Sequence, residues 1–305
     1  MSAPAFALCV DVGGSKILAA RIDTSGRLLA HAERPTPAKR GAAAVLAAMD
    51  EALAALPDAG VAVGLGICAA GVIDAGNATV LDATDALPGW AGTDLRAHFA
   101  QRLGLQVFAQ GDVHAALAGE LAWGALARAA KDVPHASAVM LTLGTGLGGA
   151  LAVNGQVQRG HHGLAGHFGR GLLQQAGRWR TVESIVSGSG LANLYRELGG
   201  ELPSQAGVNA GARAVLALGD TPLARQALAL WIEHLAAQLH NLHWSLDPAV
   251  VVLGGGMLDA QARWWPSLMQ ALGALPLVVV PAALGNRAGV FGAARQVFEA
   301  IELPQ

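Results

Sequence analysis

Three glycine-rich turns hold most of the residues in this sequence that could do chemistry. Each follows an apolar run typical of a buried strand, and the first opens with an acid and closes with a hydroxyl and an amine. The turns are Asp11-Val12-Gly13-Gly14-Ser15-Lys16, Gly144-Thr145-Gly146-Leu147-Gly148-Gly149 and Gly254-Gly255-Gly256. Glycine allows positive φ and brings backbone N–H groups close to a ligand, so such turns can cradle phosphate oxygens. A single turn of this kind often only ends a strand, but three favour a split nucleotide site and phosphoryl transfer.

A second acid, Asp112, stands between an apolar strand-like run, Gln106–Ala109, and a helix-forming stretch. Phosphoryl transfer to an alcohol needs a base beside the acceptor hydroxyl, and a carboxylate at a strand end can serve as that base. An aspartate at this position also suits an ordinary helix N-cap, which composition alone favours. Both roles stay open from the residues themselves.

The elements that must position these residues repeat along the chain. The first third predicts β-β-β-α-β-α-β, with Ser25-Gly26 as a hairpin turn and Thr93 as the N-cap of a helix that ends near Leu103. The pattern restarts at Ala136, with a second hairpin at Asn154-Gly155. The remaining predicted elements are strands Ala5–Val12, Ile17–Asp23, Leu28–Ala32, Val61–Ile67, Ala136–Leu143, Gly149–Val153, Gln156–Gln158, Val250–Leu253 and Leu277–Val280, and helices 41–56, 222–246 and 290–301. This repeated pattern predicts two α/β units around a cleft, with a hinge near Val113.

Composition excludes several other classes of protein. The chain has 305 residues, of which 53% are apolar and 14% charged, with a formal net charge of −2. So low a charge argues against nucleic-acid binding and against a polybasic membrane surface. The uncharged run 136–158 is interrupted by glycines and polar residues, and we predict neither a signal peptide nor a membrane span. Cys9 and Cys68 each lie in a predicted strand, which favours buried free thiols and a cytoplasmic protein.

The three turns, in this order, resemble the phosphate-1, phosphate-2 and adenosine motifs of the actin/hexokinase-like ATPase superfamily. Within it the chain resembles the bacterial ROK sugar kinases along nearly its whole length. Further similar runs are Gly66–Asp74, Leu87-Pro88-Gly89-Trp90, Gly111–Ala116, Gly160–Arg170, Val182–Gly188 and Ala288–Ala294. The resemblance implies an α/β fold of two actin-like (ribonuclease H-like) ATPase domains flanking a cleft. Residues 1–112 would form a small domain, with the helix 289–305 packing back on it, and residues 113–288 a large one.

The resemblance also implies roles for the turn residues, with ATP and Mg²⁺ as cofactors. Asp112 would be the general base, and Asp11 would hold Mg²⁺ through water. Lys16 would reach the terminal phosphates or merely cap its turn. Phosphate donors would be Gly13, Gly14 and Ser15 from the first turn and Gly144, Thr145 and Gly146 from the second. Gly254, Gly255 and Gly256 would lie against adenosine, or would only connect a strand to a helix.

The sugar side of the implied site contains Gly71, Asp85, Gly111, His167, Arg170 and Glu183. Glu183 matches a glutamate that hydrogen-bonds a sugar hydroxyl. His167 is the most discriminating residue, because N-acetylmannosamine kinases of the family typically have histidine where most members have glutamate. The predicted reaction is phosphorylation of a hexose or N-acetylhexosamine at the 6-hydroxyl. N-acetylmannosamine is the substrate that the sequence favours. Glucose or N-acetylglucosamine is the alternative, and a non-catalytic sugar sensor is the alternative from another class.

The sequence departs from the family pattern at several positions. Arg170 stands where the zinc module has histidine, and no cysteine occurs between Leu172 and Val182, so no structural zinc is expected. Gly111 and Ala86 each replace an asparagine that would contact sugar, and Asp85 could substitute for the one at residue 86 if its loop shifts. Arg170 could pair with Glu183 or bind an anionic group on an unusual substrate. A homodimer is expected from the resemblance, with an exposed Trp264-Trp265 pair as a possible contributor.

Overall fold

The computed structural model describes residues 5–57, 60–83, 87–129, 137–202, 210–219 and 221–301. The strands are β1 (Ala5–Val12), β2 (Lys16–Asp23), β3 (Leu28–Pro35), β4 (Val61–Ala69), β5 (Val72–Asp74), β6 (Thr79–Asp82), β7 (Val107–Gly111), β8 (Ala138–Leu143), β9 (Leu147–Val153), β10 (Gln156–Gln158), β11 (Leu172–Gln175), β12 (Arg178–Thr181), β13 (Val250–Gly254) and β14 (Val279–Pro281). The helices are α1 (Ala42–Ala54), α2 (Leu95–Leu103), α3 (Asp112–Trp123), α4 (Ala125–Ala129), α5 (Val182–Ile185), α6 (Gly188–Glu197), α7 (Ala210–Ala217), α8 (Pro222–Leu246), α9 (Trp265–Leu272) and α10 (Ala288–Ala300).

The chain divides into two units, and unit 1 comprises residues 1–128, 159–164 and 283–305. Its sheet has the order β3-β2-β1-β4-β7, in which β1 to β3 form an antiparallel meander and β1, β4 and β7 run parallel. The register places Asp11 beside Cys68 and Ala69 beside Gly111. The carboxyl ends of three parallel strands therefore meet at one sheet edge, where ligands of open α/β sheets usually bind.

Unit 2 comprises residues 129–158 and 165–282 and repeats this topology. Its sheet has the order β10-β9-β8-β13-β14, again an antiparallel meander followed by parallel strands. Gly254 at the end of β13 pairs with Thr142 at the end of β8, so the second and third glycine turns leave the same edge. The repeated strand order confirms the predicted α/β fold of two actin-like units.

The division of the chain differs from the predicted boundary at residue 112. Helix α3 belongs to unit 1, and so does the segment that begins at Ala283. The reason is close packing of α3 on α10: a Cβ on Gly119 would lie 2.5 Å from the carbonyl oxygen of Ala288, and one on Gly292 would overlap the backbone of Ala115. Small residues at both positions let the helices approach, which a prediction from strand repeats did not include.

Two local predictions were wrong. The N-cap of α2 is Asp94, whose carboxylate accepts a hydrogen bond from the Ala97 amide at 2.9 Å, whereas the Thr93 hydroxyl donates to the Trp90 carbonyl. Trp264 is fully buried rather than exposed, because it packs edge-to-face on Trp231 with ring centroids 5.4 Å apart. Its indole N–H donates to the Met257 carbonyl at 3.0 Å, which satisfies the polar atom inside the core of unit 2.

Both cysteines are buried free thiols, as predicted. The predicted hairpin at Asn154-Gly155 joins β9 to β10, and both of its residues have positive φ. None of the helices in the described part of the chain is long and apolar enough to cross a membrane.

Candidate active site

Two carboxylates lie at the parallel edge of the unit 1 sheet. Asp11 is near the end of β1, and Asp112 follows directly after β7, with β4 between these strands. The two charges are close enough that Asp112 contributes to a raised pKa of Asp11. The structure therefore brings together the two acids that the sequence separates by a hundred residues.

The carboxyl group of Asp11 sits in a tightly packed position although the residue keeps some exposure. The Cys68 thiol donates a hydrogen bond to its Oδ1 at 3.2 Å, and Gly289 leaves no room for a Cβ beside its Oδ2. Burial is the main cause that raises the pKa of Asp11 to about 6, against a smaller lowering by the Cys68 hydrogen bond. Burial also raises the pKa of the Cys68 thiol, which stays protonated as a donor.

The carboxylate of Asp11 has the chemistry that a Mg²⁺ ligand requires. Among the residues described, no three His, Cys, Asp or Glu side chains stand close enough to enclose a metal ion. Mg²⁺ commonly keeps several waters and uses only one or two carboxylates together with substrate phosphates. A single desolvated carboxylate at the sheet edge meets that requirement, because a cation would relieve the cost of its buried charge.

Asp112 lies in the first turn of α3 and is exposed. Its Oδ1 accepts a hydrogen bond from the Val113 amide at 2.8 Å. The N-cap is Gly111, and no side chain caps the helix, so the interpretation of Asp112 as an N-cap does not hold. A carboxylate in the first helical turn is stabilised by the helix dipole and stays accessible to a ligand.

The first glycine turn is a tight hairpin between β1 and β2. The Gly13 amide donates to the Lys16 carbonyl at 3.0 Å, and Thr36 contacts the turn through the carbonyls of Gly13 and Ser15. Gly14 and Ser15 remain exposed. The Lys16 ammonium forms an ion pair with Glu33 at 3.1 Å, with both side chains nearly half exposed. Exposed pairs of this kind are weak, so Lys16 can exchange Glu33 for another anion.

The second glycine turn is tied to Glu183. The Leu147 amide donates to Glu183 Oε2 at 2.8 Å, and a Cβ on Gly146 would collide with that oxygen. The turn is closed by the Gly144 amide on the Gly146 carbonyl at 3.0 Å and is anchored to the start of α6 by the Gly188 amide. Glu183 thus requires glycine at residue 146, a coupling that neither motif reveals by itself.

His167 precedes a 3₁₀ turn, Phe168–Arg170, and Arg170 is the last residue of this turn, which packs beside Glu183. A Cβ on Gly169 would lie 3.2 Å from Glu183 Cβ, which shows how closely the two segments approach. Arg170 is exposed, and within the described ranges it forms no ion pair with Glu183. Unit 2 therefore brings His167, Arg170 and Glu183 into one region.

Two glycines of the third turn have different surroundings. Gly255 has φ +88° and ψ 171°, and a Cβ there would lie 2.6 Å from the Leu143 carbonyl oxygen. Gly255 is therefore required by packing. A Cβ on Gly256 would meet nothing within 4 Å, so this residue offers bare backbone to open space.

Gly71 and Gly111, both predicted at the substrate, line one small cavity of unit 1. The cavity is also lined by Gln110, His114, Arg159 and Gly163. Partial burial lowers the pKa of Arg159. The sequence prediction did not include His114 or Arg159 among the site residues. His114 could have been found because it lies only two residues after Asp112, whereas no nearby motif pointed to Arg159. Asp85 lies outside the described residues.

Comparison with known proteins places these features in a family. The model of the ROK family matches residues 7–299. A glucokinase of Streptomyces coelicolor is 31% identical, over 93% of this chain and 95% of the relative. An N-acetylmannosamine kinase of Salmonella agona is 30% identical, over 94% and 96%. The crystal structure of a ROK family glucokinase from Streptomyces griseus in complex with glucose and AMPPNP is 28% identical, with a TM-score of 0.74 over 95% of this chain and 98% of that chain. With its matching fold and sheet-edge acids, the chain belongs to the ROK family, as a carbohydrate kinase.

Proposed function

We propose that the protein transfers the terminal phosphoryl group of ATP to the 6-hydroxyl of an N-acetylhexosamine or hexose, with N-acetylmannosamine as the preferred acceptor. The observation that carries the kinase chemistry is the pair Asp11 and Asp112 at one edge of the unit 1 sheet. ATP use is further supported by the AMPPNP complex of the Streptomyces griseus relative. The choice of N-acetylmannosamine rests on His167.

Asp112 acts as the general base. Its carboxylate accepts the proton of the acceptor hydroxyl as that oxygen bonds to the terminal phosphorus, and ADP leaves with the electrons of the broken P–O bond. Exposure in the first turn of α3 lets the carboxylate reach a bound sugar. Mg²⁺, when held at Asp11, would neutralise charge on the phosphate oxygens.

The glycine turns bind the nucleotide. Gly14, Ser15, Thr145 and Gly146 present backbone or hydroxyl donors to phosphate oxygens. The predicted donors Gly13 and Gly144 instead use their amides to close their own turns, on the carbonyls of Lys16 and Gly146. Gly256 is the best candidate for contact with adenosine, because the space beside its Cα is open, whereas Gly255 serves the packing of the turn. Lys16 contributes to phosphate binding only after it leaves Glu33.

Sugar selection falls to Glu183, His167 and Arg170. One carboxylate oxygen of Glu183 is occupied by the Leu147 amide, which orients the other as an acceptor for a sugar hydroxyl. A neutral imidazole at residue 167 both donates and accepts, whereas a glutamate there would only accept. This difference supports an acceptor other than glucose. The glucokinase relatives keep glucose as the second candidate.

Steady-state ADP release with N-acetylmannosamine, N-acetylglucosamine, glucose and mannose tests the proposal. We expect the highest kcat/KM with N-acetylmannosamine and a 6-phosphate product by ³¹P NMR. The variant His167→Glu should move the preference toward glucose or N-acetylglucosamine. If glucose is the best acceptor of the wild type, the proposed substrate is wrong but the kinase function stands. If no sugar stimulates ADP release, the proposed function is wrong and a non-catalytic sugar-binding protein is favoured.

A homodimer follows only from the family resemblance, and Trp264 does not contribute to it because it is buried. Light scattering against the 30.9 kDa monomer mass measures it directly. The cytoplasmic location stays a prediction from the free thiols.

A further inference from the structure

The space beside Gly111 is bordered by the imidazole of His114. A Cβ built on Gly111 would lie 3.2 Å from the Nδ1 atom of His114 and 3.4 Å from the Gly71 carbonyl oxygen. The first distance is tighter than ordinary van der Waals contact, so a larger residue at 111 would push against the imidazole. Gly111 and His114 therefore form a matched pair in which the glycine leaves room for the ring.

His114 is a largely buried residue that lines a small cavity of unit 1. Its side chain is in the first turn of α3, two residues beyond Asp112, and the residue is only 8% exposed. It lines the same cavity as Gly71 and Gly111. Gln110, the polar residue next to Gly111, instead donates its amide to the Gly292 carbonyl at 3.0 Å and so supports the packing of α10. The imidazole is thus the polar side chain of α3 that borders the space left by Gly111.

We propose that His114 determines sugar specificity by hydrogen-bonding a hydroxyl adjacent to the one that Asp112 deprotonates. This inference rests on the proposed sugar-kinase function. An imidazole has one donor and one acceptor nitrogen, like a carboxamide, so it can replace the contact that residue 111 no longer makes. The ligand is a neutral hexose or N-acetylhexosamine hydroxyl, and Asp112 remains the base.

Kinetics of His114→Ala and His114→Asn test the assignment. We expect the alanine variant to raise the sugar KM roughly 10- to 100-fold, with the ATP KM and kcat within about threefold of wild type. Asparagine retains a polar atom close to the position of Nδ1 and should recover much of the loss. The matched control is His243→Ala in α8, because His243 is also 8% exposed but belongs to unit 2. That control should lower the thermal midpoint without changing the sugar KM.

Moving the side chain back to residue 111 gives an independent test. Gly111→Asn alone should weaken sugar binding because its Cβ presses on the imidazole. Gly111→Asn combined with His114→Ala should bind sugar better than either single variant, since the new side chain gains the space of the ring. A set of deoxy sugars identifies the hydroxyl: the analogue that lacks it should lose much less in His114→Ala than in wild type.

Two results would overturn the inference while leaving the kinase function intact. One is a folded His114→Ala variant with unchanged sugar KM and an unchanged deoxy-sugar pattern. The other is a double variant of Gly111→Asn and His114→Ala that binds sugar no better than Gly111→Asn, a comparison that does not need a folded His114→Ala single variant. A wild type that phosphorylates no sugar would instead refute the proposed function, and the inference would fall with it.

Discussion

Unit 1 and unit 2 contain sheets of the same strand order, but different residues stand at the carboxyl ends of their parallel strands. In unit 1 the ends of the parallel strands carry carboxylates, Asp11 and Asp112. In unit 2 the corresponding ends carry glycine turns at Gly144–Gly146 and Gly254–Gly256. Under the proposed function, one topology supports acid–base chemistry with side chains in unit 1 and anion binding with main chain in unit 2. Function follows the residues at the strand ends rather than the fold.

The largest test of this difference removes the acid of unit 1. Asp112→Asn should lower kcat by roughly 10²–10⁴, because the amide cannot accept the hydroxyl proton. Nucleotide binding, measured by calorimetry, should persist because the glycine turns are untouched. Asp50→Asn serves as the control, since Asp50 lies on α1 in an ion pair with Arg102. Unchanged turnover in Asp112→Asn would remove Asp112 from the mechanism.

The second test separates packing from binding within the glycine turns of unit 2. Gly255→Ala should cost about 3 kcal/mol or more of unfolding free energy, because its φ is in a region reserved for glycine and its Cβ meets the Leu143 backbone. Gly256→Ala should keep the stability and raise the ATP KM, since its Cβ enters open space. Urea unfolding and ATP kinetics distinguish the two variants. Equal stabilities would contradict the structural role of Gly255.

The third test probes a buried carboxylate that is structural. Glu120 of α3 is fully buried and accepts hydrogen bonds from the amides of Ala125, Ala283 and Leu284 at 2.5, 3.2 and 2.8 Å. Glu120→Ala leaves these donors unpaired and should lower the unfolding free energy by about 2–3 kcal/mol. Glu120→Gln, which keeps one acceptor oxygen, should lose less. Calorimetric unfolding measures the stability of both variants. An unchanged unfolding free energy in Glu120→Ala and Glu120→Gln would refute the structural role of this carboxylate.

The smallest effect concerns the acid predicted to bind Mg²⁺. The raised pKa of Asp11, about 6, means that the folded protein binds a proton more tightly than the unfolded chain, whose carboxyl titrates near 3.8. Stability from this group is present below pH 3.8 and is lost as the pH rises through 6. Without metal, Asp11→Asn should therefore be more stable than wild type at pH 8 by about 1–2 kcal/mol, after allowance for the exposed part of the residue.

This gain should vanish near pH 2.5, well below 3.8, where the wild-type carboxyl is neutral in both the folded and the unfolded state. Thermal unfolding at the two pH values, without nucleotide or metal, checks it. The same variant should lose Mg²⁺-dependent turnover, so that stability and activity change in opposite directions. A wild type more stable than Asp11→Asn at pH 8 would contradict the desolvation of this carboxylate.

Local sequence patterns predicted most of the elements. Alternating and continuous apolar runs identified the strands, Asn154-Gly155 identified a hairpin, and Pro222 identified the start of α8. These signals work because they depend on a few adjacent residues. The errors arose where distant residues decide: Trp264 is buried by Trp231, and α3 joins unit 1 through α10.

The sequence by itself determined the three glycine turns, the acids Asp11 and Asp112 and the family to which they belong, because each is a property of a short run of residue types. Only the tertiary structure decided which glycines are structural, that Glu183 holds the second turn through Leu147, and that His114 and Arg159 border one cavity with Gly71 and Gly111. These relations join residues far apart in the chain, and their distances are set by strand register and helix packing, which no local pattern encodes.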